Sequence, residues 1–417
     1  MSSEKRILVV GGGISGLTAA IEAAEVGYDV TLIEQEPYLG GRVARTKQYF
    51  PKLCNPDCGL EINFRRIKMN PRITVITQAE VQDISGSEGN YTVSIKVTPR
   101  MVNENCTACG KCVEVCPVER PNARNYGMDS TKAIYLPYSM AFPMNYVIDR
   151  EYCTGSECAK CVSVCEYNAI DLNMAEQNIT LNVGAIVVAT GWKPYDAGNL
   201  DNLAYGKAKN VITNVMMERL AAIDGPTQGR ILRPSDQQEP KSIAFVQCAG
   251  SRDQNHLPYC SGVCCLGSLK QITYIKEQVP DAQVSMFYID LRALGYLEDF
   301  LQAVQDREGV SLIKGKVAKI TEVDNGNLKL EVEDIAAGAK ITPEVEMVVL
   351  ATGLVPSIAD SKLPGDITYD EYGFIVPGSP GIYGAGCAKR PVDVSSSVMD
   401  ATGAALRAIQ SVVAGGA

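Results

Sequence analysis

Histidine is almost absent from this chain: His256 is the only one in 417 residues. Haem held by a pair of histidines is therefore excluded within it. Trp192 is the only tryptophan. It directly follows an Ala-Thr-Gly turn, where packing is its expected role. No apolar run approaches the roughly 18–20 residues that cross a bilayer, so no direct membrane span is expected. Basic blocks are missing and the net charge is −9, so no nucleic acid is expected as a partner. Low-complexity tracts and short repeats are also missing. The chain opens on charged Glu4, Lys5 and Arg6, not on the apolar stretch of a signal peptide. Fifteen cysteines in 417 residues fall below the roughly 8–10% of a disulfide scaffold. A reducing, cytoplasmic setting follows, with two or three domains for this length.

What the chain does have is cysteine in runs. Cys106, Cys109, Cys112 and Cys116 read C-x2-C-x2-C-x3-C, with Pro117 next. Cys153, Cys158, Cys161 and Cys165 read C-x4-C-x2-C-x3-C. Bacterial-type ferredoxins supply the four thiolates of a cubane cluster at this spacing, the fourth ligand of each run crossing to the other cluster. The expected sets are Cys106, Cys109, Cys112 with Cys165, and Cys153, Cys158, Cys161 with Cys116, holding two [4Fe-4S] clusters. Zinc and disulfides are the competing readings. Glu166 stands where the second run would carry its proline, and its carboxylate is expected to lower the neighbouring cluster's potential.

The N-terminal stretch reads strand (Ile7 to Val10), then Gly11, Gly13 and Gly16 as G-x-G-x-x-G, then a helix containing Ser15, a second strand and Glu34. Glycines in that order let a pyrophosphate approach the backbone at a helix N-terminus, and the acid accepts ribose hydroxyls. Gly40-Gly41-Arg42 follows. Together with two Ala-Thr-Gly strand ends (at Gly191 and Gly353) and the segment GIYGAGCAKRP, it resembles the FAD-containing disulfide-reductase and thioredoxin-reductase flavoproteins. That resemblance implies FAD, with Gly386 and Cys387 in the segment that touches its ribityl and pyrophosphate. Cys387 stands where that superfamily has Asp. A nicotinamide-binding Rossmann unit without flavin is the alternative.

The expected fold class is α/β. Two Rossmann-like domains of this reductase type carry an inserted two-cluster ferredoxin module. The expected parts are FAD-binding segments at 1–98, 174–240 (with a linker) and 354–417. The module lies at 99–173, and the second Rossmann-like domain at 241–353. That second unit lacks the glycine loop a nicotinamide cofactor needs. Its strand Ser242 to Gln247 runs into CAGSRDQNHLPYCSGVCCLGSLKQ, so no NAD(P)H site is expected. Cys248, Cys260, Cys264 and Cys265 stand there instead. A third iron–sulfur cluster, a redox dithiol and inert buried cysteines are the three readings. Lys270, on the helix that follows, is read as a flavin neighbour, a counter-charge to the cluster or a solvated residue. Cys54 and Cys58 are expected near the flavin ring. No residue is assigned a catalytic role beyond that reading of Lys270.

The motifs VVGGGISGLTAA, GGRVA, CTACGKCVEVCPVE, KAIYLPYSMAFPMNYVID, FVQCAGSRD, YCSGVCC and YGAGCAKRPVD together resemble the A subunit of heterodisulfide reductase. The trimmed form is similar to the A subunit of quinone-interacting membrane-bound oxidoreductase (Qmo) complexes of sulfate-reducing bacteria. That resemblance implies an oxidoreductase electron-transfer subunit between the quinone pool and adenylylsulfate (APS) reductase. It would sit peripherally on the cytoplasmic face of the inner membrane. Implied partners are APS reductase, a related flavin/iron–sulfur B subunit and a haem-bearing membrane C subunit. Alternatives are a heterodisulfide-reductase-type subunit that splits electron pairs, a glutamate-synthase small-subunit-like flavoprotein, and a scaffold that keeps cofactors only structurally.

Overall fold

A computed structural model describes residues 6–415. Of the charged opening, Glu4 and Lys5 lie outside the described residues. Strand β1 (Arg6–Val10) carries Ile7, Leu8 and Val9 with no exposure on either face, as a parallel strand covered by helices must. It feeds α1 (Ile14–Glu25) and then β2 (Asp29–Glu34). Helix α2 (Pro56–Met69) leads to β3 (Ile73–Thr77). β4 (Ala79–Ser87) and β5 (Asn90–Val97) pair antiparallel, and β6 (Gln177–Val183) completes that three-stranded meander on β5. β7 (Ala185–Val188) returns beside β1. The parallel sheet runs Ile382–Gly384, β7, β1, β2, β3. Beneath it the long C-terminal helix Val394–Gly415 packs on α1. Ala20, Ala23 and Ala24 share a core with Ala401, Ala404 and Ala408, small side chains that let the two backbones approach closely.

Strands β5 and β6 are adjacent in space but 80 residues apart in sequence, and the cysteine runs fill the interval. This inserted module has a thin core. Val102, Cys112, Ile134, Ile148 and Ala169 are buried, with Cys106, Cys116, Cys153, Cys161 and Cys165 half-buried against them. A core this small needs a staple beyond burial.

The module is tied to the flavin unit by two arginines, one half-buried and one buried. Arg100 donates to the carbonyls of Pro37 (2.6 Å) and Asn145 (2.9 Å) and lies 4.5 Å over the Tyr38 ring. Arg124 donates to the Ala44 carbonyl (2.6 Å) and to Asp224 (2.8 Å), 4.1 Å over Tyr138.

The second sheet takes in β8 (Val211–Thr213), ahead of the expected boundary at 241, and helix α3 (Asn214–Ala221) goes with it. Three buried residues show no readable period, which is why that strand was hidden. β9 (Ser242–Ala249) lies centrally, followed by α4 (Cys264–Gln278) and β10 (Gln283–Tyr288). The strand Met347–Thr352 pairs parallel with both β8 and β9.

Lys270 corrects one expectation here. It is buried on α4, not solvated. Its Nζ lies 3.0 Å from Glu218 and 2.5 Å from the Gln48 carbonyl. Helix α4 is covered along most of its length, so a charge on it must find a buried partner. Lys270→Met should destabilise the chain by about 3 kcal/mol, because it leaves the buried Glu218 carboxylate without its counter-charge. Denaturant unfolding checks this, and a loss under about 1 kcal/mol would contradict the pairing.

Candidate redox sites

One cavity of about 620 Å³ opens at the carboxyl ends of β1 and β2, within the range of cofactor sites. Its walls include Gly11, Gly13, Ser15, Glu34, Gly41, Arg42, Gly191, Trp192 and Cys387. The glycines divide their roles. Gly11 has φ +106°, and a Cβ there would meet the Ala189 carbonyl oxygen at 2.5 Å. A Cβ on Gly16 would strike the Gly11 carbonyl. Both are demanded by backbone packing. A Cβ on Gly13 would meet nothing closer than the Gly41 Cα at 3.9 Å, so only a ligand demands that position stay bare. Gly16 and Gly386 do not line the cavity. Gly386 packs behind it, where a side chain would strike Ser15 Oγ.

Glu34 accepts from the Gly12 amide at 2.6 Å and the Glu36 amide at 2.8 Å. Burial pushes its carboxyl up, against the pull of those amides. Each oxygen keeps a second lone pair for a ribose hydroxyl. Thr190 Oγ1, also in the cavity wall, is buried without a hydrogen-bond partner. An orphaned hydroxyl in a concave site is what a polar ligand satisfies, so the residues fit a dinucleotide. Cys387 Sγ donates to the Val392 carbonyl at 3.3 Å, and burial pushes its thiol up. It contributes an uncharged thiol to the cavity wall. The carboxylate nearby is Asp400, which accepts from the Gly386 amide at 2.8 Å and pairs with Lys389.

In the inserted module, Cys106, Cys109, Cys112 and Cys165 line one small cavity of about 20 Å³. Three come from the first run and one from the second. Burial, then neighbouring Cys106, pushes the Cys112 thiol up to about 12. Cys161 is raised by burial and by Cys153 and Cys116, members of the other set. Without metal these groups are neutral thiols; a cationic metal bound among them would remove their protons outright. Amides of Gly155 and Ala169 point at Cys153 and Cys165, each at 3.4 Å. Glu166 pairs with Lys111 at 2.5 Å, so the negative charge expected beside the cluster is largely offset. All fifteen cysteines are free. Among the described residues no group of three or more Cys, His, Asp or Glu side chains is placed to hold a metal ion.

The four cysteines of the second Rossmann-like unit also meet. Cys248, Cys260, Cys264 and Cys265 line a cavity of about 10 Å³ with Arg252, Asp290 and Arg292. Cys248 has φ +57° at a register shift in β9, between Val246 and Ala249. The bulge re-aims its side chain. Burial, then Cys265, pushes the Cys248 thiol up to about 11, and Arg252 opposes this. Adjacent Cys264 and Cys265 begin α4 and both turn to the same cavity.

Other expectations fail here. Lys270 lines neither this cavity nor the flavin cavity, because Glu218 holds it inside the unit. Cys54 and Cys58 are exposed and do not line the flavin cavity. They sit at the outer end of α2, capped by Asn55. His256 is half-buried, its Nδ1 2.8 Å from the Tyr195 hydroxyl. Sequence reasoning missed Thr190 as an orphaned wall atom. Its place in the Ala-Thr-Gly turn was the available signal.

Residues 9–73 match the NAD(P)-binding Rossmann-like domain, and residues 99–119 match the 4Fe-4S binding domain. The chain is 37% identical over its whole length to the A subunit of the H2:CoB-CoM heterodisulfide,ferredoxin reductase of Methanothermobacter thermautotrophicus. It is 40% identical, over 97% of its length, to an iron-sulfur A subunit of the CoB–CoM heterodisulfide reductase of Methanopyrus kandleri. It spans 65% and 64% of those relatives. A thioredoxin reductase from T. acidophilum shares the fold, with TM-score 0.55, 15% identity and coverage of 98% of this chain and 99% of that one. Over the part it shares with those relatives, the chain is similar along nearly its whole length to heterodisulfide reductase A subunits.

Proposed function

We propose that this chain is the flavin- and cluster-bearing electron-transfer subunit of a heterodisulfide-reductase-type oxidoreductase complex. The observation that carries this reading is the gathering of two cysteine sets, each around its own small cavity, on one chain with a dinucleotide-sized cavity. Gly11 to Gly16 would hold the FAD pyrophosphate, Glu34 the adenosine ribose, and Arg42 a further contact. Bound FAD would join two-electron to one-electron carriers, and the clusters would pass single electrons. The chain's own residues supply the frame. Arg100 and Arg124 fix the module against the flavin unit, so no hinge need close between them.

Iron and flavin analysis of the purified chain tests this. One noncovalent FAD and about twelve iron atoms per chain are expected, four for each of three cubanes. About eight iron atoms would remove the cluster at Cys248, Cys260, Cys264 and Cys265. Zinc at the ferredoxin cysteines would remove the reading itself.

NADH and NADPH should not reduce the flavin rapidly. The bulged Cys248 stands where a phosphate loop would open, and the following helix begins with Cys264 and Cys265 instead of a glycine turn. Stopped-flow mixing with either nucleotide checks this, and stoichiometric bleaching within seconds would contradict it.

The similarity to heterodisulfide and ferredoxin reductase subunits favours a role in splitting or joining electron pairs among soluble partners. The quinone-linked reading, with B and C subunits and APS reductase, is the second. No helix among the described residues is long and apolar enough to cross a membrane, so that role requires a membrane-bound partner. Co-purifying subunits separate the two. A haem-bearing membrane subunit supports the quinone reading, and its replacement by a heterodisulfide- or ferredoxin-reactive subunit supports the first.

A further inference from the structure

The flavin cavity has one wall residue whose aim is set from outside the flavin unit. Arg42 lines the cavity, and burial holds its guanidinium below its ordinary pKa, against the support of the Tyr126 phenol. Its Nε donates to the Trp192 carbonyl at 3.1 Å and its Nη1 to the Tyr126 hydroxyl at 2.8 Å. Its guanidinium carbon lies 5.3 Å from the centre of the Trp192 ring. An arginine has five N–H donors in a planar fork. Two are held by protein, and the remaining three have no acceptor among the described residues. They are free for a ligand in the cavity.

Tyr126 belongs to the inserted ferredoxin module, 84 residues along the chain from Arg42. Its placement is over-determined. It adopts φ +54°, a left-handed conformation uncommon for a bulky side chain, and it ends the short helical turn Ala123–Asn125. Both residues before it are buried anchors. Arg124 reaches the Ala44 carbonyl and Asp224, and Asn125 Oδ1 accepts from Arg219 at 2.8 Å. Unusual backbone held by such a surround marks a functional constraint more often than a loop accident. Trp192, on the other side of Arg42, is fixed by antiparallel pairing with Pro356. The guanidinium thus sits between a residue of the cluster module and a strand that leads to the second unit.

We propose that Tyr126 is a positioning residue for the flavin: through its hydroxyl, the cluster module aims Arg42 into the flavin cavity. This rests on the FAD reading and deepens it. Flavin affinity, and the electrostatics the flavin meets, then depend on the docked state of the module. A fork held through two of its donors presents the others in a fixed direction, and one held through a single donor can pivot.

The test uses the full chain, reconstituted with iron, sulfide and FAD. Tyr126→Phe keeps the ring and removes the hydroxyl. It should raise the FAD dissociation constant about fivefold, the effect of one lost hydrogen bond, and shift the flavin midpoint potential with iron content unchanged. Arg42→Lys should weaken FAD binding by more. The double variant Tyr126→Phe/Arg42→Lys should bind FAD no more weakly than Arg42→Lys alone, since the two act through one contact. Additive losses in the double variant, or an unchanged dissociation constant in Tyr126→Phe, would overturn the proposal while leaving the FAD reading intact. A wild-type chain that binds no FAD would overturn both.

Discussion

Replacement of Gly13 by leucine should abolish flavin retention while the chain still folds. Gly11 and Gly16 cannot report on a ligand, because a Cβ on either would meet main-chain carbonyl oxygens of the chain itself. Gly13 differs. Its backbone is extended, with φ −77° and ψ −176°, which leucine adopts freely. A Cβ there would have open space, with Gly41 Cα at 3.9 Å its nearest neighbour. A leucine side chain would then occupy the cavity at the N-terminus of α1, where a phosphate would sit. Unfolding midpoints should stay near wild type, and flavin per chain, read from the visible absorption of the purified protein, should fall to a small fraction of the wild-type content. Normal flavin content would end the assignment of this cavity.

Cys109→Ser should remove one cubane, lowering iron by about four atoms per chain, and leave FAD bound. Cys109 is exposed, while Cys112 in the same set is buried, so the serine itself costs little packing. The loss is one of ligation. The module should also loosen, because five buried side chains form its core and half-buried cysteines form its rim. Limited proteolysis should therefore cut between β5 and β6 in the variant and spare the flanking meander, whose core holds no residue of the module. Unchanged iron would defeat the cluster assignment. FAD binding should weaken by no more than loss of the Tyr126 contact would cost, about fivefold; complete loss of flavin together with iron would defeat the claim that the two sites stand on separate cores.

The parts legible from sequence were those whose chemistry demands spacing. Ligands to a cubane recur at fixed intervals, and the structure gathers Cys165 with Cys106, Cys109 and Cys112 around one cavity. The turn from β1 into α1 was equally legible, since glycines, helix and acid must follow in order for a phosphate to meet a helix N-terminus. Even the insertion was readable, because β5 lacked a partner until β6. Identities at single positions misled where burial depends on distant chain. Lys270 looked like a solvated residue or a cofactor neighbour until α3 brought Glu218 against it. Cys54 and Cys58 were expected at the flavin, yet the turn into α2 carries them outward.

By itself, then, the sequence determined the first ligand set and the dinucleotide turn, and it marked where the cysteine module is inserted, because each is written in local spacing that chemistry enforces. Only the tertiary structure decided which charges are buried, how β8 joins the second sheet, that four cysteines from a bulge, a loop and a helix start share one cavity, and that Tyr126 reaches Arg42. Those are contacts between residues far apart in the chain. They depend on how sheets and helices pack, and no local period encodes that.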